Sequence, residues 1–85
     1  MQDLKNKVEK AKQQIKIGGR YVHFKNSEKI YVVRDIAILE STEEVVVTYQ
    51  AEYGDRLTFV RPASSWLEKV NKDGEQVPRF TLVNS

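Results

Sequence analysis

Cysteine is absent from the 85 residues, so there is no disulfide framework, no thiol nucleophile and no thiolate metal site. The one histidine, His23, permits no His-x-x-x-His pair, and the scattered carboxylates have no EF-hand spacing, so no metal or other cofactor is expected. The glycines Gly18, Gly19, Gly54 and Gly74 form neither a Gly-x-x-x-x-Gly-Lys loop nor a Gly-x-Gly-x-x-Gly turn; each fits a turn or a helix end. No apolar run nears the roughly 18 residues that span a bilayer, and Ile36 to Leu39 is as long as any. From Gln2 onward the N-terminus is polar and charged, unlike the apolar centre of a secretory signal peptide, and no Asn starts a glycosylation sequon. The expectation is a cytoplasmic protein without a membrane partner. A net charge of only +2 is too weak to imply nucleic acid by itself.

What is present reads as a helix followed by short strands, divided as an amphipathic helix over 1–17 and a β domain over 18–85. Leu4, Val8, Ala11 and Ile15 fall on one stripe of a helix over 3–16, which Gly18-Gly19 ends. Lys5, Lys7, Lys10, Lys12 and Lys16 concentrate the basic charge there. A helix this short is marginal alone. Its stripe is expected to cover the β domain, with a weak homodimer through a two-heptad seam as the alternative to a monomer. Arg20–Lys25 alternates as a strand, Lys25–Lys29 reads as a polar loop, and Ile30–Leu39 as a longer strand bent or bulged at Arg34-Asp35. Glu40–Glu43 turns into Val45–Tyr53, whose odd-numbered side chains face the core. Leu57–Arg61 is stopped by Pro62, and Pro62–Trp66 reads as one helical turn. Leu67–Asn71 resumes extended chain, Asp73-Gly74 signals a tight hairpin, and Val77–Val83 closes the fold as one strand. The fold class is mainly β: an SH3-like barrel of five to six strands with an N-terminal α-helix and one short helical turn, an OB-like barrel being second choice.

Five stretches in order carry a resemblance: Gly19 to Lys25, Tyr31 to Val33, Val47 to Gly54, Phe59 to Pro62, and Val77 to Phe80. Over about Gly18 to Val83 the chain resembles the bacterial family catalogued as domain of unknown function 1653. The resemblance implies a compact SH3-like barrel of uncharacterised function and assigns no catalytic residue. The helix lies outside the shared region, and the Lys25–Tyr31 loop is longer than the short glycine turn of the family.

No catalytic constellation is legible. His23 would suit general-base chemistry near neutral pH, but Ser64 and Ser65 have no nucleophile-elbow context. The adjacent Glu43 and Glu44 point apart on an exposed turn. Seven rings stand out instead: Tyr21, Tyr31, Tyr49, Tyr53, Phe59, Trp66 and Phe80, in motifs that also hold His23, Arg61 and Arg79. Tyrosine, tryptophan and arginine combine contact area with directional polar groups and dominate binding hot spots. The plainer reading puts Tyr49, Phe59 and Phe80 in the core and pairs the arginines with carboxylates. The expected site is a rim of His23, Tyr31, Tyr53, Arg61, Trp66 and Arg79 that recognises a peptide, a nucleotide or another small anion. Single-stranded nucleic acid held by rim aromatics and helix lysines, an enzyme using His23, and a ligand-free structural adaptor are the alternatives.

Overall fold

The structure, a computed structural model, describes residues 4–84, so residue 3 of the expected helix and the outer ends of the two expected units lie outside it. Helix α1 runs Leu4–Gln14 and is followed by strands β1 (Arg20–His23), β2 (Asn26–Leu39), β3 (Glu44–Ala51) and β4 (Thr58–Pro62). The short helix α2 (Ala63–Trp66) leads to β5 (Lys69–Lys72), β6 (Glu75–Pro78) and β7 (Phe80–Asn84). Five strands form one antiparallel sheet in the order β4-β3-β2-β1-β7, and β5-β6 is a separate hairpin. The fold is mainly β with an N-terminal helix and a short second helix, as expected, but the described residues form seven strands and their sheets do not close into a barrel.

Closure fails at Arg79. The expected strand Val77–Val83 divides there: β6 pairs with β5, whereas β7 pairs with β1. The Arg79 N–H donates to the Glu68 carbonyl (3.1 Å), and its own carbonyl accepts from Phe24 N–H (2.9 Å). Arg79 thus sits at a corner held by two different segments, and β4 and β7 remain as the two edges of the large sheet. Pro62 ends β4 opposite Val46 as a member of the strand, which an edge position permits because proline has no N–H to donate outward.

The expected polar loop over Lys25–Lys29 is also absent. Phe24 and Lys25 alone make the turn, and β2 starts at Asn26 opposite His23. The register then jumps, since Val22 pairs with Ile30; Ser27, Glu28 and Lys29 bulge out of the ladder without a partner on β1. Asn26 stabilises the bulge by accepting the Glu28 N–H at its side-chain oxygen (2.9 Å). A second irregularity lies where the sequence places it: Val33 pairs with Tyr49 and Asp35 with Thr48, leaving Arg34 as the extra residue. Val33 and Ile36 can therefore both be buried despite their opposite parity.

The core occupies one face of the sheet. Val33, Ile36, Val47 and Tyr49 meet Tyr21, Phe80, Trp66 and Ala63 there; α1 covers them with Ala11, Ile15 just beyond its end joins them, and Val8 packs at the margin. The helix stripe is thus spent on its own sheet, chiefly β2. Trp66 stacks on Phe80 with ring centroids 3.7 Å apart and planes at 6°, and the edges of Tyr21 and Tyr49 close around it. Tyr49 and Phe80 belong to the core, but Phe59, on edge strand β4, is 39% exposed and lies outside it.

Candidate functional site

At one end of this aromatic core lies an open cavity of about 290 Å³, lined by His23, Lys25, Asn26, Lys29, Tyr31, Tyr49, Arg61 and Phe80. The ladders assemble it. Tyr21 faces Tyr31 across β1–β2, and His23 faces both Asn26 and Phe80, so the two strand pairings bring imidazole, amide and ring together. The two-residue turn presents Lys25, and the bulge after Asn26 presents Lys29. Arg61 arrives from β4, two residues beyond Phe59, which pairs with Tyr49.

The cavity is cationic. Lys25, Lys29 and Arg61 line it, and among the described residues no carboxylate does. The two ion pairs found among those residues, Arg20–Glu52 (2.7 Å) and Arg79–Glu68 (2.8 Å), leave these three side chains without an acidic partner. Arg61 is held in place: its guanidinium lies 5.5 Å from the Phe80 ring centre, and Nη1 donates to Ser65 Oγ at 2.9 Å. Its Nε is buried with no hydrogen-bond partner, an arrangement that costs about 1–3 kcal/mol.

Burial, and then the charges of Arg61, Arg79 and Lys25, push the His23 pKa below its ordinary value of 6.5. Nδ1 accepts the Lys25 N–H (3.2 Å), which leaves Nε2 as the ring nitrogen able to donate. Tyr31 and Tyr53 share a hydrogen bond of 2.6 Å between their hydroxyls. Burial and that bond raise the Tyr31 pKa to about 12. Asn26 has committed its oxygen to Glu28, so its NH₂ group remains to donate.

Of the six residues expected at the site, His23, Tyr31 and Arg61 line the cavity, and Tyr53 supports Tyr31 from behind. Trp66 does not reach it: only 3% exposed, it is the platform under Phe80. Arg79 is also taken, donating from Nε to the Ser65 carbonyl (3.0 Å) and from Nη2 to Glu68 (2.8 Å). Sequence reasoning missed Lys25, Lys29 and Asn26, whose only signal was the polar stretch itself. The Ser65 hydroxyl accepts from Arg61 Nη1, and among the described residues no serine is hydrogen-bonded to His23. Among the described residues no three His, Asp or Glu side chains converge as metal ligands, and no helix is long and apolar enough to cross a membrane.

Two other depressions lack this convergence. One of about 410 Å³ at the end of α1 is lined chiefly by Lys12, Gln13, Gln14, Lys16 and Ile17. The other, about 330 Å³ and mostly apolar, lies between β1 and the β5–β6 hairpin and shares His23.

Residues 19–82 match the family described as a protein of unknown function, DUF1653. The crystal structure of a protein belonging to DUF1653 from Bordetella bronchiseptica is similar, with a TM-score of 0.73 and 30% sequence identity over 85% of this chain and 91% of that one. No curated protein matches the chain. Helix α1, with Lys12 and the rest of its basic face, lies outside the matched residues, whereas every residue lining the cavity lies within them.

Proposed function

The chain belongs to the DUF1653 family, and we propose that it is a binding module that takes a small anionic ligand in the cavity beside His23. The observation that carries this reading is the convergence of Lys25, Lys29 and Arg61 on one aromatic-lined cavity with no carboxylate among the described residues that line it. Three cations on one small surface repel one another, and a bound anion relieves that repulsion while accepting their hydrogen bonds.

The test is an amide NMR titration of the whole chain with inorganic phosphate, pyrophosphate and acetate against chloride at constant ionic strength. Saturable shifts at His23, Lys25, Lys29 and Arg61 are expected, largest for pyrophosphate. Shifts spread evenly over the helix lysines, with the cavity unmoved, would overturn the proposal.

A further inference from the structure

The charge count and hydrogen-bond character of the cavity say more about its ligand. The side-chain polar groups that line it are donors, the tyrosine hydroxyls aside: Lys25 and Lys29 Nζ, the Arg61 guanidinium, the Asn26 amide whose oxygen is already used, and His23 Nε2. A carboxylate brings one charge and two oxygens to this set. A phosphate monoester brings about −1.5 to −2 and three terminal oxygens, which suits three cations better.

A phosphate group occupies only part of about 290 Å³; of the rings bounding the rest, Tyr49 and Phe80 are buried and contribute only their margins, so the half-buried Tyr31 is the ring that offers surface to a planar apolar face. A phenyl ring would satisfy the aromatic wall but offer nothing to donors lying beyond reach of the phosphate. The ring nitrogens and carbonyl oxygens of a nucleobase accept hydrogen bonds while keeping the flat face. The volume also falls below the roughly 300–1,000 Å³ of sites for drug-sized molecules, enough for one nucleotide and not two.

We infer that the ligand is a nucleoside monophosphate, its phosphate held by lysine and arginine and its base against the Tyr31 ring. The inference rests on the anion-binding reading above and adds the ring.

The deciding experiment is calorimetry of the whole chain with AMP, UMP, adenosine, inorganic phosphate and O-phosphotyrosine, backed by NOEs from base protons. AMP or UMP is expected to bind about tenfold or more tighter than inorganic phosphate, the order of one base stacked on an aromatic ring. NOEs should reach the Tyr31 ring. The exposed pair Lys25→Ala/Lys29→Ala, which removes no core contact, should weaken AMP about tenfold or more while leaving the melting curve in place. Nucleotides no tighter than inorganic phosphate would sink the nucleotide inference and leave an anion site. Phosphotyrosine bound more tightly than either nucleotide would sink it as well. If inorganic phosphate itself leaves the cavity untouched, the anion-binding reading falls, and the inference with it.

Discussion

Truncating Trp66 separates a core role from a ligand-binding role by its energy. The indole is 3% exposed, stacked on Phe80 and edged by Tyr21 and Tyr49 at centroid distances of 5.2 and 4.9 Å. Aromatic truncations in cores cost about 3–5 kcal/mol. Three ring partners, each worth about 0.5–1.5 kcal/mol beyond area, place Trp66→Ala near the top of that range, at about 4–5 kcal/mol. A chain of this length has about 4–13 kcal/mol in all, so the loss takes from about a third of the total to the whole of it. At about 4–8 °C per kcal/mol, the melting midpoint falls by at least about 16 °C. The assay is urea unfolding followed by far-UV circular dichroism, which does not depend on the deleted fluorophore, with Lys29→Ala expected within about 0.5 kcal/mol of the parent. Trp66→Phe, which keeps a ring on Phe80, should lose less than half as much as Trp66→Ala. A loss below about 2 kcal/mol for Trp66→Ala would refute the assignment of the indole to the core.

His23 should titrate below 6.5 in an NMR pH series of its ring protons, and saturating phosphate should raise the midpoint by favouring the charged ring. Because the folded-state pKa is the lower one, the unfolded chain binds the proton first; the contribution of His23 to stability is complete above pH 6.5 and is lost as the pH falls from there through the folded value, a slope that His23→Gln should flatten. Tyr31 should ionise near pH 12 in an ultraviolet titration, and Tyr53→Phe should lower that value only in part, because it removes the hydrogen-bond partner and leaves the burial in place. Here the folded pKa is raised, so the stabilisation holds below pH 10 and disappears as the pH climbs through 12. Gly19→Ala should cost about 1–3 kcal/mol in chemical unfolding, because a Cβ there would lie 3.0 Å from the Lys16 carbonyl and 2.9 Å from Leu82 Cδ1; an unchanged midpoint would show that the helix end can shift away.

The features that could be read from the chain are those fixed by neighbouring residues. Asp73-Gly74 signals a tight hairpin, and both residues do take positive φ, 54° and 87°, between Lys72 and Glu75. Arg34-Asp35 interrupts a run apolar on both parities, and Arg34 is the residue excluded from the ladder. The features that could not be read depend on partners far along the chain. Pro78-Arg79-Phe80 is locally compatible with one strand, and only the hydrogen bonds of Arg79 to Glu68 and Phe24 decide that it is a corner. The candidate site divides in the same way. Rings and arginines advertise themselves by residue type, but their number exceeds the space at the cavity, and the competition is settled by packing: Phe80 recruits Trp66 as a stacked neighbour, while Glu68 and the Ser65 carbonyl capture Arg79. Lysine carries the opposite ambiguity, since a surface lysine is the commonest way to keep a turn soluble. Lys25 and Lys29 become candidate ligand-binding groups only because a two-residue turn and a bulge, set by the pairing of His23 with Asn26 and of Val22 with Ile30, bring them to the mouth that Arg61 reaches from the far edge of the sheet. Altering the turn while keeping both lysines should therefore disturb anion binding as much as removing them, because the register, and not the charge alone, makes the site.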